Sequence, residues 1–243
     1  MLKQLINRFR PSIEILDHVK LLRREVQESI MAHVFDDSIA DVDWIRKKSF
    51  SPHGAAANYS FLYILFRILN DIKPQNILEL GMGQTSKLTA QYIAYKNSSA
   101  RLHLVEHDLT WVTIFRNEVE LSDRITIHIL EMIQKKVQEY ESNVYRDLTS
   151  QVKDQKFDVI INDGPHGSDH YSRAGILDLL DHNLADKFVI ICDDYNWRSV
   201  QETVSEVMQK LRHIHIPFDH ILYNGVKTQS IIYSPQYNFL KTL

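Results

Sequence analysis

The chain has 243 residues, a formal net charge of −3 and a pI near 6.5, and 44% of its residues are hydrophobic. This composition is typical of a globular protein with a substantial core, and it lacks the strong basic field of a general nucleic-acid binder. The single cysteine, Cys192, excludes a disulfide framework and makes a reducing compartment, the cytoplasm, the expected location.

The N-terminal part, residues 1–54, is expected to be a helical extension or cap, with a break near Pro11. Its first apolar residues recur at helical spacing among basic ones, which favours an ordinary docking helix over a membrane-surface helix; they are Leu2, Leu5, Ile6 and Phe9. No run reaches the ~18 consecutive apolar residues of a membrane span. No integral membrane segment is therefore expected.

The remainder, residues 55–243, is expected to form one α/β domain. An apolar helix leads into Pro74, which ends it. Five predicted strands follow, with helical segments between most of them: 76–80, 101–107, 124–130, 157–163 and 188–194. Nearly continuous apolar strands with helical crossovers indicate a parallel sheet covered on both faces.

Two further segments differ from this pattern. The polar stretch 131–155 is predicted to be helix plus exposed loop. Near the C-terminus, Asn224-Gly225 separates two strand-like runs and is the strongest two-residue signal for an antiparallel hairpin.

A glycine turn follows the first predicted strand, in the run NILELGMGQTSKLTAQYI. Gly81 permits a tight turn, and Gly83 lets the backbone approach a ligand. Thr85 and Ser86 are expected to cap the next helix, whose N-terminus favours polar or anionic groups. Such a turn also occurs merely to pack a helix on a strand.

Two carboxylates strengthen the case for a nucleotide-type site at this turn. Glu79 lies at the end of the first strand, where a dinucleotide domain usually has no carboxylate. Glu106 ends the second strand, close to the ~20-residue offset at which a carboxylate meets ribose hydroxyls.

The runs ELGMGQTS and LHLVEHD resemble motifs I and II of class I S-adenosylmethionine-dependent methyltransferases, over roughly residues 55–235. The resemblance implies a Rossmann-like, seven-stranded, mostly parallel sheet with a C-terminal antiparallel hairpin, preceded here by N-terminal helices. It implies further that Glu79 and the Gly81–Gly83 turn lie by the methionine part of the cofactor. Glu106 would hold the ribose, and Glu131 or Met132 would meet the adenine. Thr85, Ser86 and Asp163 are further candidate cofactor contacts. Thr85 departs from the family, which often has a third glycine there.

Three aspartates follow the last two parallel strands: Asp163 after the fourth, Asp193 and Asp194 after the fifth. Ligands in open α/β sheets bind at this edge, so we expect the three to converge beside the methyl donor. Without obvious basic partners they would repel one another, and a divalent cation such as Mg²⁺, Ca²⁺ or Mn²⁺ would relieve the repulsion. The arrangement resembles the cation-dependent O-methyltransferases, which makes the three aspartates candidate metal ligands and Asn196 a reserve.

Asp163 and His166 are the candidate catalytic residues, with His166 as a general base or a further metal ligand. The alternatives are structural: Gly164-Pro165 is an ordinary turn, and Asp163 could cap the next helix. Arg173, Tyr195 and Trp197 could contact substrate or simply pack. His53 and Asn58 could cover the cofactor pocket or belong to a plain loop.

The predicted function is direct methyl transfer from S-adenosylmethionine to a hydroxyl of a small-molecule or glycan acceptor, assisted by a divalent cation. A nicotinamide-dependent oxidoreductase and a non-catalytic methyltransferase-like module are the alternatives. A nucleic-acid partner is not expected, because no basic stripe with interleaved aromatic residues is present. Self-association into a homo-oligomer is left open.

Overall fold

The computed structural model describes residues 2–50 and 56–243, with side chains described from Ile15 onward apart from Asp17. The helices are α1 (Leu2–Ser38), α2 (Tyr59–Arg67), α3 (Gln84–Gln91), α4 (Leu109–Glu118), α5 (Leu148–Val152) and α6 (Arg198–His213). The strands are β1 (Asn76–Leu80), β2 (Arg101–Glu106), β3 (Ile125–Ile129), β4 (Met132–Val137), β5 (Tyr140–Tyr145), β6 (Phe157–Asn162), β7 (Leu184–Cys192), β8 (Asp219–Asn224) and β9 (Thr228–Tyr233). π-helical turns extend α2 and α3, and 3-10 turns cover Ala174–Asp178 and Pro235–Thr242.

Seven strands form one sheet in the order β3-β2-β1-β6-β7-β9-β8. The first five are parallel, and β9 runs antiparallel to both of its neighbours. The predicted Rossmann-like sheet with a C-terminal hairpin is therefore confirmed. All five predicted parallel strands are present, and their carboxyl ends lie along one edge.

Each central strand contributes to two separate cores because successive side chains point to opposite faces. Ile77 packs beneath α1 to α4, whereas Leu78 and Leu80 pack beneath α5 and α6. All three side chains are fully buried. This two-sided burial explains why the central strands read as continuous apolar runs rather than alternating ones.

The polar stretch 131–155 differs from the prediction of helix and exposed loop. Most of it is a separate two-stranded antiparallel sheet, β4 and β5, followed by the short α5. The turn between the strands has Gln138 with a φ of 54° in place of a glycine or asparagine. The usual hairpin signal is therefore absent. β5 nevertheless buries Val144 and Tyr145, and these anchor the hairpin on the domain.

The C-terminal hairpin is confirmed, but its turn contains three residues, 225–227, rather than two. Gly225 lies against the side chains of Glu28, Ser60 and Asn58, so that a Cβ at this position would collide with them. The glycine is therefore required by close packing against the side chains of the preceding segments.

The N-terminal region forms one helix, α1, without the break expected near Pro11. A proline removes one backbone donor and can bend a helix, and here the helix continues beyond it. The apolar residues at positions 2, 5, 6 and 9 have no described side chains, so their docking stays a prediction. Among the residues that the structure describes, no helix combines the length and the apolarity that crossing a membrane requires.

The side chain of Glu28 ties α1 to the rest of the domain. Its carboxylate accepts hydrogen bonds from the backbone N–H of Tyr59, from Asn58 Nδ2 (2.8 Å) and from the backbone N–H of Val226 (3.3 Å). These donors belong to the start of α2 and to the β8–β9 turn. One carboxylate therefore joins three segments that are distant in sequence.

We expect Glu28→Ala to lower the free energy of unfolding by about 1–3 kcal/mol, because it leaves several donors without their charged acceptor. Glu25→Ala is the matched control, because Glu25 lies about one turn away on α1 and its side chain is exposed. Urea denaturation followed by circular dichroism measures both. Equal denaturation midpoints for the two variants would contradict this role for Glu28.

Candidate functional site

The glycine turn after β1 packs directly against the loop after β6. Gly81 has a φ of 89°, and a Cβ placed on it would lie 2.9 Å from the carbonyl oxygen of Asp163. A Cβ on Gly164 would lie 2.9 Å from the Cα of Gly81 and 2.7 Å from the hydroxyl of Tyr145. Side chains at either position would push the two loops apart. The paired glycines therefore hold the first-strand turn beside Asp163.

Gly83 lies on the open side of the same turn. A Cβ at this position would meet no atom within 4 Å among the described residues, and α3 begins at the next residue. The backbone in front of the helix is thus accessible. It offers the N–H groups and the dipole that favour polar or anionic ligand groups.

Glu79, at the end of β1, holds the start of α3 through two hydrogen bonds. Its Oε1 accepts hydrogen bonds from Thr85 Oγ1 (2.5 Å) and Ser86 Oγ (2.8 Å), and all three side chains are almost completely buried. The expected capping roles are therefore only partly observed: Ser86 Oγ accepts the N–H of Gly83 at 3.0 Å, whereas Thr85 turns to Glu79. Because these three side chains have almost no exposed surface, they shape the turn rather than face open space.

Burial raises the pKa of Glu79 to about 7, although the two hydroxyl donors oppose the shift. Its second oxygen, Oε2, is buried and has no hydrogen-bond partner among the described residues. At neutral pH the protonated and ionised forms of this carboxyl are therefore both populated.

Glu106 lies where the turns after β1 and β2 meet. Its carboxylate accepts hydrogen bonds from the backbone N–H groups of Met82 (2.9 Å), His107 (2.7 Å) and Asp108 (2.9 Å). Three fixed donors hold the carboxylate in one orientation. A carboxylate has about four acceptor positions, so it can also receive hydroxyl groups of a ligand.

The loop between β6 and the 3-10 turn at Ala174 carries Asp163 and His166 and is not helical. The β4–β5 hairpin fixes it: Asn143 Nδ2 donates to the His166 carbonyl at 3.0 Å, and the N–H of Asn143 donates to Ser168 Oγ at 2.7 Å. The polar stretch that was expected to be exposed therefore supports the candidate catalytic loop. Asp163 does not cap a following helix.

Asp163, Asp193 and Asp194 converge as predicted: one carboxylate oxygen from each lies within 4.8 Å of those from the other two. The premise that they lack basic partners is wrong. Arg173 Nη2 lies 2.9 Å from Asp163 Oδ1 and 2.5 Å from Asp194 Oδ2. Lys227 Nζ lies 3.4 Å from Asp193 Oδ2 and 3.6 Å from Asp194 Oδ1. The cluster is therefore a buried ion-pair network with two cations.

Burial raises the pKa of Asp163 well above its usual value, opposed by Arg173 and reinforced by Asp193 and Asp194. Burial likewise raises the pKa of Asp193, with Asp194 adding to the shift and Lys227 opposing it. The two carboxylates therefore have different cationic partners: Arg173 contacts Asp163, and Lys227 contacts Asp193. Asp163 keeps 18% of its side chain exposed, whereas Asp193 has none.

His166 lies at the exposed rim of this cluster. Its Nδ1 is 3.3 Å from Arg173 Nη2, and partial burial together with that guanidinium lowers its pKa. A guanidinium only donates hydrogen bonds, so Nδ1 is the acceptor and the proton of the neutral ring resides on Nε2. Trp197, 45% exposed, stands beside it with ring centroids 6.2 Å apart.

A chain of hydrogen bonds links the cluster to α1. Gln229 Nε2 donates to Asp193 Oδ1 at 2.7 Å and to Asn58 Oδ1 at 2.8 Å, and Asn58 in turn donates to Glu28. Asn58 is thus buried in a structural network rather than exposed over the turn. His53 lies outside the described residues.

The other candidates lie at the margins of the site. Asn196 Oδ1 accepts the N–H of Thr228 at 3.4 Å, towards the C-terminal hairpin. Met132 is 37% exposed at the start of β4, and Leu130 N–H donates to the Glu106 carbonyl at 2.9 Å. This hydrogen bond holds the β3–β4 connection beside the β2 turn, so Met132 stays a predicted adenine contact.

The fold is shared with solved methyltransferase structures. An O-methyltransferase from Bacillus cereus in complex with SAH aligns at 15% identity, over 88% of this chain and all of that chain, with a TM-score of 0.51. The O-methyltransferase TomG from Streptomyces achromogenes, in complex with SAM, aligns at 12% identity over 87% of this chain and 97% of its own, with a TM-score of 0.49. No protein-family model and no curated protein sequence matches the chain. The first of these structures establishes a likeness of fold.

We expect the stability of the protein to depend on the protonation of Glu79. The folded protein holds this proton more tightly than the unfolded chain, because the pKa rises from 4.5 to about 7. The stability that protonation contributes, on the order of 3 kcal/mol, is complete below pH 4.5 and is lost as the pH rises to about 7.

Glu79→Gln removes this titration while keeping the shape of the side chain. Its unfolding free energy, relative to wild type, should rise between pH 4.5 and 7 and then level off, measured by urea denaturation. Glu141→Gln, an exposed change, is the control and should track wild type at every pH. A constant difference between Glu79→Gln and wild type across this range would show that Glu79 does not titrate as described.

Proposed function

We propose that this protein transfers the methyl group of S-adenosylmethionine to a hydroxyl group of a small-molecule acceptor. The observation that carries the proposal is the contact between two loops, the Gly81 turn and the Asp163–Gly164 loop. It puts a turn suited to a nucleotide-type cofactor beside a partly exposed carboxylate. The Bacillus cereus protein, an O-methyltransferase with SAH bound, supports this choice through the shared fold.

The residues at the turn fit such a cofactor. Gly83 leaves space in front of α3, and Glu106 presents a carboxylate that three backbone N–H groups already orient. We assign Glu106 to the ribose hydroxyls, the Gly81–Gly83 backbone to the methionine end, and Met132 to the adenine. Bound there, S-adenosylmethionine would supply an electrophilic methyl group on a sulfonium centre.

Asp163 is the residue we assign to the acceptor proton. It lies against the Gly81 turn and retains an exposed portion. Burial raises the pKa of its carboxyl, which makes the carboxylate a stronger base than that of an exposed aspartate. His166 has its proton on Nε2 and therefore suits a hydrogen-bond donor to an acceptor oxygen better than a base. Most of the acceleration would come from aligning oxygen, methyl carbon and sulfur.

The acceptor we propose is a hydroxylated small molecule, such as a sugar. Trp197 offers an exposed ring at the rim of the site, next to His166, and such rings stack against sugar and aromatic faces. The alternatives are a nicotinamide-dependent oxidoreductase and a non-catalytic binding module. Binding of SAH rather than NADH separates a methyltransferase from the oxidoreductase, and methyl-transfer turnover separates it from the non-catalytic module.

We expect the protein to bind SAH and not NADH, as measured by isothermal titration calorimetry. Glu106→Gln should weaken SAH binding by about 10- to 100-fold, because it replaces a charged acceptor of two ribose hydroxyls. Glu141→Gln, on the exposed surface, should bind SAH as wild type does. Preferential binding of NADH would favour the oxidoreductase and reject the proposal.

We expect Asp163→Asn to lower kcat for methyl transfer by about 100-fold or more, because general bases contribute about 10²- to 10⁴-fold. Its affinity for SAH should change little. The assay supplies S-adenosylmethionine with a labelled methyl group and a panel of sugars and phenols. Asp169→Asn, an exposed change in the same loop, is the matched control. Unchanged turnover by the folded Asp163→Asn protein would remove Asp163 from the mechanism.

A further inference from the structure

We propose, building on the function above, that the guanidinium of Arg173 occupies the place of a divalent cation among Asp163, Asp193 and Asp194. The site would then work without a metal ion. This departs from the sequence-based expectation of a metal centre, and it changes the kind of acceptor the site can take.

The position of Arg173 carries the argument. One nitrogen, Nη2, contacts both Asp163 Oδ1 (2.9 Å) and Asp194 Oδ2 (2.5 Å), and Nη1 donates to the carbonyl oxygen of Asp193 at 2.5 Å. The side chain is completely buried. The guanidinium therefore lies between the carboxylates of Asp163 and Asp194 and against the backbone of Asp193, where an ion shared by these residues would compete with it.

The carboxylate oxygens are also occupied. Gln229 and Lys227 engage the two oxygens of Asp193, and Arg173 and Lys227 engage those of Asp194. Arg173 engages Oδ1 of Asp163. Among the described residues, Oδ2 of Asp163 is the one carboxylate oxygen of the cluster without a donor. A metal ion would have to displace several of these partners at once.

The charges favour the same reading. Three carboxylates give −3, and Arg173 with Lys227 gives +2, so the ionised cluster has a net charge of −1. A divalent ion would bring the cluster to +1 and would lie within contact distance of a buried guanidinium. Repulsion between two cations at that separation, away from water, opposes binding.

The backbone is shaped around this arrangement. Arg173 and Asp194 both have left-handed conformations, with φ of 66° and 55°, which non-glycine residues seldom adopt. Asn162, the last residue of β6, donates a hydrogen bond from Nδ2 to the Arg173 carbonyl at 3.1 Å and so fixes the backbone of Arg173. Unfavourable backbone geometry at both ends of one ion pair indicates that the pair is a built feature of the site.

The consequence concerns the acceptor. A divalent cation has several coordination positions and can hold two oxygens of a substrate at once. Among the residues that the structure describes, Asp163 Oδ2 is the carboxylate oxygen of the cluster left for a substrate, and one hydroxyl group is enough to engage it. We infer that the acceptor is an isolated hydroxyl and that a vicinal pair of oxygens is not required.

Manganese binding tests the inference directly. Chelator-treated protein is titrated with Mn²⁺, and the free ion is followed by its electron paramagnetic resonance signal. Wild type should show no site tighter than about 1 mM, and Arg173→Gln should gain one site per chain with affinity at least about tenfold higher. Arg198→Gln, which removes an exposed arginine, should match wild type.

A wild-type site of micromolar affinity that Asp193→Asn abolishes would overturn the inference, and so would a folded Arg173→Gln protein that gains no site. If Arg173→Gln does not fold, Lys227→Gln removes the more exposed cation and should gain Mn²⁺ affinity in the same direction; no gain there also counts against it. SAH binding, measured on the same samples, separates the two proposals. If the wild-type protein does not bind SAH, the methyltransferase assignment is rejected, whatever the Mn²⁺ result.

Discussion

Three carboxylates at the buried edge of a sheet cannot all remain ionised unless positive charge lies among them, because burial disfavours the charged form and like charges repel. Arg173 supplies that charge from within the loop after β6. Arg173 thereby contacts both Asp163, which follows β6, and Asp194, which follows β7. The ion pair, the Asn143 hydrogen bonds to the loop and the Gly81–Gly164 contact together fix the positions of Asp163 and His166.

The second constraint is steric. Gly81 and Gly164 bring two loops from adjacent strands into backbone contact, and neither position has room for a Cβ. This contact places the turn that suits a cofactor against the carboxylate that suits a proton acceptor. Hydrogen bonds extend from Asp193 through Gln229 and Asn58 to Glu28, so the N-terminal helix is part of the same framework.

The fold was largely predictable from the sequence because buried parallel strands appear as nearly continuous apolar runs. The order of Glu79, Gly81 and Glu106 along the chain also matched the motifs of one fold family. The convergence of Asp163, Asp193 and Asp194 also followed from topology, since parallel strands end at one edge. Arg173 could not be assigned, because it follows Asp163 by ten residues in an irregular loop and no periodic pattern locates its side chain. Lys227 and Gln229 come from a hairpin whose register the sequence did not fix.

The β4–β5 hairpin was missed for a related reason. Its strands are polar on the outside and its turn uses Gln138 rather than glycine, so neither the apolar pattern nor the turn chemistry marked it. Pro11 likewise predicted a break in the first helix, because proline lacks a backbone N–H donor, but one continuous helix passes through it. Local patterns therefore identified the elements of the sheet and the residues at its edge. They did not reveal which charges neutralise one another across it.

A crystal structure of the protein grown with SAH and Mn²⁺, with diffraction recorded at the manganese absorption edge, tests the central claim most directly. The account predicts SAH at the Gly81–Gly83 turn with its ribose on Glu106, Arg173 still between the aspartates, and no anomalous peak in the cluster. An anomalous peak shared by Asp163, Asp193 and Asp194, with Arg173 turned away, would contradict it.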